Sequence, residues 1–562
     1  MQEPLAEPAV RGWITAVILG GFLVLTATFG RQAADASTTI LPDYGGVYRE
    51  GVVGTPLHLN PVLCSLNAID RTVCRQLFRG LMQFDSRGAV VPDLAVAHEV
   101  SEDGLVHTLR MRPDVFWHDG LRVTAQDAVY TFEVLRDPDF PGDPSLANAA
   151  RLASVRATDS FTVQFRLEQP FTPFLNLLTV GLLPFHIHSN VAVADMMEYI
   201  DQLPVVGNGP MQLDRVEDDF LRLVPSRFQD KAVPYIPALE FRHHASTADL
   251  FQAFLDGQLE GLSAGVTENL ELLPNRQELQ VFASAQPSLT MVLFNLRSET
   301  VPTLAELQVR KALLHAINRE SVVNATDLAW GTPADSPIPA GHWAYKEGLT
   351  QYPYDPVLAL ELFGDSGWRD RDLDGMLDRD GVPLTLSLAV SDDRALRAYA
   401  ETIAAYWRDL GIGVELVVLP FARLLVEQLD NHSFDAALVQ VSGLEGDPDP
   451  FRFWHSSQTA PGQLNYGGWS NPYADGLMER SRIELDAEER HYLLHRFQDV
   501  FLADLPALPI SSPVYAYGVH GRVRNVQVGQ LNSPAERLDT FANWFIATTR
   551  VTIAGDAAGF PR

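Results

Sequence analysis

The sequence predicts an α/β protein of two or more lobes, and two observations carry that expectation. Residues 384–390 and 414–419 read as apolar, partly β-branched strands on either side of an amphipathic helix over 395–410, the alternation of a β-α-β unit. At 562 residues the chain is also too long for one ordinary core. Its balance of 46% hydrophobic to 20% charged residues is that of a folded body. The net charge of −29, with three lysines (Lys231, Lys311, Lys346) and scattered arginines, argues against nucleic acid or an anionic membrane surface as partner.

The N-terminal 40 residues stand apart from this body. Residues 13–29 are uncharged and mostly apolar, bounded by Arg11 and Arg31, and Ala34-Asp35-Ala36 offers a small-residue cleavage site. The run is short for a spanning helix and slightly long for a signal peptide. Either way the body is exported, and a retained membrane anchor is preferred to cleavage; a buried N-terminal helix of a cytosolic fold is the alternative. In an exported chain Cys64 and Cys74, the only cysteines, are expected to pair. So small a loop would add roughly 2–3 kcal/mol. Two buried thiols are the alternative, and a zinc site is excluded for want of further ligands.

Taken in order, residues 45–60 read as a strand and turn, and residues 70–82 as a helix with Val73, Leu77, Phe78 and Leu81 on one face. Residues 105–112 alternate as a strand. Asp119-Gly120 is a tight turn, and Thr124 with Asp127 forms a capping box before a helix expected to bury Ala128, Val129, Phe132 and Leu135. Residues 155–167 read as a hairpin, 211–213 and 220–224 as strands, 248–257 as a short helix and 290–296 as a buried strand. Thr303 and Glu306 read as a second capping box, opening a helix to about residue 318 that carries His315 as a satisfied core histidine.

The centre of the chemistry is placed in residues 443–454 (Gly-Leu-Glu-Gly-Asp-Pro-Asp-Pro-Phe-Arg-Phe-Trp), which follow an apolar strand over 434–441. Ligands of open α/β sheets bind past the carboxyl ends of strands. Asp447 and Asp449 each precede a proline and are expected to be extended, with both carboxylates on one face as a cradle for an ammonium group. A rigid acidic surface turn is the alternative.

A second acidic loop, residues 370–381, opens like an EF-hand loop. Asp370, Asp372, Asp374 and Asp378 stand at ligand positions for a structural calcium ion, but Gly381 replaces the closing glutamate. An acidic turn is again the alternative. No other cofactor is called for. No G-x-S-x-G, H-E-x-x-H or phosphate-binding loop supports a hydrolase, and His186/His188 and His243/His244 read as core or surface histidines.

Several segments together resemble the bacterial family 5 of extracellular solute-binding proteins, which bind oligopeptides, dipeptides and nickel complexes for ABC importers. Residues 102–130, from Glu102-Asp-Gly through Phe116-Trp-His-Asp-Gly to Ala128-Val-Tyr, are close to its most recognisable segment. Val206-Gly-Asn-Gly-Pro-Met, Val309-Arg-Lys-Ala-Leu-Leu-His-Ala-Ile-Asn-Arg-Glu with Pro337-Ile-Pro, Asp447-Pro-Asp-Pro and residues 465–475 follow in family order. The likeness runs from about residue 43 to 544.

That resemblance implies a fold like the type II periplasmic-binding proteins, with two main α/β lobes joined by a hinge and an extra family-specific lobe. Lobe I would combine residues 43–60, 200–288 and 515–548, lobe II would span 61–199, and lobe III 289–514. A peptide or similar small molecule would be enclosed between lobes I and III, and the protein would work as an exported monomer with permease subunits as partners. Leu444-Glu-Gly-Asp447 matches a Trp-x-Gly-Asp segment whose aspartate grips a ligand's amino terminus, except that Leu444 replaces the tryptophan. Asp447 is therefore the expected amine anchor, with Leu444, Trp454, Asn465 and Trp469 as further ligand-binding residues. An anchored sensor or scaffold of the same fold is the alternative function, and a secreted hydrolase a third.

Overall fold

A single long strand, Ala507–His520, runs through the middle of a 12-stranded mixed sheet. The computed structural model describes residues 38–143, 146, 152–199, 202–228, 232–266, 279–325 and 330–552. Residues 13–29 and the cleavage motif at 34–36 lie outside them. Among the described residues no helix is long and apolar enough to cross a membrane.

One half of the sheet is the expected β-α-β unit. Strands Thr385–Ser391 and Gly413–Leu419 pair in parallel, and the helix Arg394–Asp409 connects them. Its N-terminus is capped by the Asp393 side chain, which accepts from the amides of Ala395 and Leu396. Tyr399, Ala400, Ile403, Ala404 and Trp407 form its buried stripe. Strand Ala436–Val441 lies beside Thr385–Ser391, then Leu289–Phe294, then the long strand. Beyond the long strand the order continues through Gly261–Leu262, Tyr48–Val53, Leu239–His244 and Phe220–Pro225 to Met211–Val216.

A separate four-stranded antiparallel sheet combines Ala95–Val100, Val106–Met111, Thr162–Leu167 and Leu152–Asp159. The helix Ala125–Arg136 packs on it, and the capping box of Thr124 and Asp127 is formed.

The apolar side chains fall into three large clusters. One draws on residues 289–510 and includes Phe294, Trp407 and Phe497; one lies within residues 62–196 around Trp117, Phe132 and Phe165. The third joins residues 48–78, 211–241 and 517–544, with Tyr48, Phe241 and Trp544. Cys64 through Phe78, expected with lobe II, pack in this third cluster instead. Cys64 and Cys74 are joined as a disulfide there, their Cα atoms 6.5 Å apart.

Two helices depart from expectation. The first spans Ala68–Leu77, and Met82 already begins the strand Met82–Phe84. Residues 78–81 are drawn out of the helix because the chain passes against residues 179–180: a Cβ on Gly80 would lie 2.6 Å from the Thr179 carbonyl oxygen. The second capping box is absent. Pro302 starts a 3₁₀ turn, Pro302–Ala305, and the helix runs only over Leu307–His315. The Glu306 carboxylate accepts instead from the Thr303 hydroxyl (3.1 Å) and from Arg379 (2.9 Å). His315 is a satisfied core histidine, its Nδ1 2.7 Å from the Pro353 carbonyl.

Candidate functional site

Strand Ala436–Val441 ends in a loop with two glycines in the left-handed region, Gly443 (φ 81°) and Gly446 (φ 72°). Between them Leu444 turns inward to the core and Glu445 stays half-buried. The Gly446 carbonyl accepts two hydrogen bonds, from Trp343 Nε1 (2.6 Å) and from the His342 ring Nε2 (3.1 Å). On its other side Gly446 is pressed against Phe84 and Asn176. A Cβ there would overlap the Phe84 ring and lie 2.8 Å from Asn176 Oδ1. The Asn176 amide also reaches the Glu445 carbonyl at 3.5 Å.

The two aspartates that follow are not a free cradle. Asp447 is buried in an ion pair with Arg490, and its Oδ1 accepts from the Asp449 amide at 3.1 Å. Asp449 meets Arg482 at 3.2 Å and has φ 21°, so it is not extended as the following proline suggested. Burial pushes its carboxyl up to about 6 against the pull of Arg482, with Asp447 adding to the rise. Arg490 lies over the Trp343 ring (5.3 Å) and Arg482 over Phe451 (4.1 Å), so both guanidinium groups are clamped by aromatic faces.

A cavity of about 380 Å³ opens beside this loop. Glu445 is its wall on one side. The helix Ala68–Leu77 supplies Arg71, Arg75 and Gln76, and residues 532–542 supply Glu536 and Asp539. Among the described residues neither Glu445 nor Arg71 has an ion-pair partner. Burial raises the Glu445 carboxyl, Arg71 and Arg452 oppose the rise, and Asp143 adds to it. Arg75 is held by Asp539 at 2.8 Å. Glu536 accepts from the Asn532 amide (2.8 Å) and side chain (3.0 Å), and burial lifts its carboxyl to about 7.

The wall carried by Ala68–Leu77 is braced from behind by a buried polar network. Arg537 Nε donates to Glu50 (2.8 Å), and its Nη1 donates to Thr72 Oγ1 (3.2 Å) on that helix. Glu50 also accepts from the Tyr517 hydroxyl at 2.8 Å, which in turn meets the Tyr48 hydroxyl at 2.5 Å. Every member is hydrogen-bonded, the condition under which a buried charged network rigidifies its surroundings.

None of the five residues expected to bind ligand lines this cavity. Leu444, Trp454 and Trp469 are packed in the core cluster of residues 289–510, the two indoles edge-on to Phe501 at 4.7 and 5.9 Å. Asn465 pins the backbone, donating to the Trp469 (2.9 Å) and His455 (3.1 Å) carbonyls and accepting from the Trp469 amide (3.1 Å). Asp447 is neutralised by Arg490. The acid of this loop that does face the cavity is Glu445, which the sequence reading does not single out. Its signal was its place between two glycines at a strand end.

In the second acidic loop, Asp370, Asp372 and Asp374 bring one carboxylate oxygen each within 4.8 Å of one another. Asp378 is not part of that group. It lies in the short strand Asp378–Arg379, accepts from the Gly381 amide (3.2 Å) and faces Arg371 at 3.5 Å.

Residues 89–463 match the family model described as bacterial extracellular solute-binding proteins, family 5 middle. The chain is 25% identical over 479 residues to the oligopeptide-binding protein AppA of Bacillus subtilis, covering 83% of this chain and 87% of that protein. It is 26% identical over 512 residues to the dipeptide-binding protein of Escherichia coli, covering 85% and 91%. The structure of HbpA2 from Haemophilus parasuis superposes with a TM-score of 0.75 at 21% identity, covering 87% of this chain and 99% of that one.

Proposed function

Because the chain belongs to the bacterial extracellular solute-binding proteins of family 5, we propose that it captures a small amine-bearing solute, foremost a short peptide, for an ABC importer. The relatives named for oligopeptides and dipeptides support that choice of solute. In this reading the solute enters between residues 43–60, 200–288 and 515–548, with the helix Ala68–Leu77 that packs on them, on one side and 289–514 on the other, and the two bodies close on it. The protein binds without turnover. It works as a monomer outside the cytoplasm, with residues 13–29 as its anchor.

Glu445 carries the reading. It is a half-buried carboxylate that has no ion-pair partner among the described residues, it stands in the wall of the cavity, and Arg71 stands in the same cavity. An ammonium group would restore the charge-assisted bond that Glu445 lacks, and a carboxylate would do the same for Arg71. Both ends of a short zwitterionic peptide are thereby met. A volume of about 380 Å³ is near the lower end of the range for small-molecule sites and favours two or three residues over longer chains. The amine anchor expected at Asp447 passes to Glu445, while Asp447 and Arg490 hold the loop in place.

Isothermal titration of di- and tripeptides into the full chain tests this. Glu445→Gln and Arg71→Ala are each expected to weaken binding by about tenfold or more, the worth of one charge-assisted bond. Equal affinity in both variants and the parent would remove the two residues from the site. We further propose that Asp370, Asp372 and Asp374 hold a structural calcium ion through their clustered oxygens.

A further inference from the structure

The helix Ala487–Asp504 carries His491-Tyr-Leu-Leu-His495, two imidazoles one turn apart on a single face. Leu493 and Leu494 between them are buried. The ring centroids of His491 and His495 lie 4.1 Å apart with the planes inclined at 57°. The Nε2 atoms of both rings are buried and, among the described residues, neither has a hydrogen-bond partner. Buried ring nitrogens are ordinarily satisfied, and two orphans side by side share one unmet need.

We propose that His491 and His495 form a two-imidazole site for a borderline transition-metal dication such as Zn²⁺ or Ni²⁺. Two histidines at i and i+4 on one helical face are a recognised zinc-ligating spacing, and imidazole favours these metals over calcium. A ligating imidazole must be neutral. Burial, with His491 adding to it, lowers the His495 pKa. The Tyr345 carbonyl faces the His495 ring, the kind of acceptor that fixes the tautomer of a metal ligand.

The neighbouring cations are already matched. Lys346 is held by Asp499 at 2.5 Å, Arg496 by the same aspartate at 2.9 Å, and Arg490 by Asp447. The site adjoins the cavity loop. The His491 ring lies 6.2 Å from that of Trp343, and Trp343 donates to the Gly446 carbonyl next to Glu445. It is independent of the peptide reading, because neither histidine lines the cavity.

Titration calorimetry of the untagged full chain with ZnCl₂, beside His491→Asn and His495→Asn, tests the site. One bound ion is expected in the parent, and each substitution should weaken it by about tenfold or more. Electron paramagnetic resonance of the Cu²⁺-loaded parent should show nitrogen coupling from two imidazoles, a readout that needs no variant to fold. No zinc uptake by the parent, unchanged uptake in both variants, or an all-oxygen copper signal would each overturn the proposal.

Discussion

Arg490 reaches from the helix Ala487–Asp504 to close an ion pair with Asp447 under the face of Trp343. The pair is buried, and both partners carry a further hydrogen bond: Arg490 Nε donates to the Ser481 carbonyl at 2.8 Å, and Asp447 accepts from the Asp449 amide. Its work is to lock the loop that presents Glu445.

Removing the charge at Asp447 therefore strikes stability first. Asp447→Asn leaves a buried guanidinium without its counter-ion and is expected to lower unfolding free energy by about 3 kcal/mol. Urea denaturation followed by circular dichroism measures this. A stability equal to the parent's, with peptide affinity lost, would return the anchor role to Asp447.

Gly446 is the point where the loop meets Phe84 and Asn176. Gly446→Ala places a methyl group against the Phe84 ring in a backbone conformation that disfavours any side chain, at a strain of about 1 kcal/mol before the clash is counted. We expect weaker peptide affinity with Glu445 intact. Calorimetry on Gly446→Ala and on Gly446→Ala/Phe84→Ala separates strain from clash. If the second substitution restores nothing, the Phe84 contact is not the cause.

Glu536 gives the cavity a pH signature. Burial raises its carboxyl from 4.5 to about 7 in the folded chain. A raised carboxyl means that the folded state holds its proton more tightly than the unfolded state does. Its contribution is fully present below pH 4.5 and is lost as pH rises through about 7. Glu536→Gln should therefore gain stability relative to the parent at pH 8 and show a flatter profile between pH 4.5 and 7. Parallel profiles in thermal melts across that window would refute the assignment.

Calcium at the acidic loop should appear as a rise in melting temperature of the full chain on adding CaCl₂, reversed by chelator. Asp372→Asn, an exposed position, is expected to abolish the rise without altering the metal-free melt. No shift in the parent at millimolar calcium would leave the loop as an acidic turn.

The β-α-β unit around Arg394–Asp409 was legible because periodicity and an Asp cap are local properties of its own residues. So was the capping box at Thr124. The box at Thr303 failed for a reason outside the segment: Arg379, far along the chain, draws the Glu306 carboxylate away from the backbone. The same limit governs the site. Nothing within residues 443–450 says that Arg490 and Arg482 will arrive from later helices to neutralise Asp447 and Asp449. Without them Glu445 is one acid among three, and with them it is the one left facing the cavity.

The ladder of Ala507–His520 has a mechanical meaning. On one edge it pairs with Leu289–Phe294 up to Ser511 and with Leu279–Ala285 from Val514; on the other it pairs with Trp330–Pro333 over Ser511–Val514 and with Gly261–Leu262 at Gly518 and Val519. The two breaks are staggered, each spanned by a strand on the opposite edge, as joints are in bonded brickwork. Such a strand ties the two halves of the sheet together as a splint, and bending it anywhere between residues 511 and 519 would break ladder bonds on at least one edge.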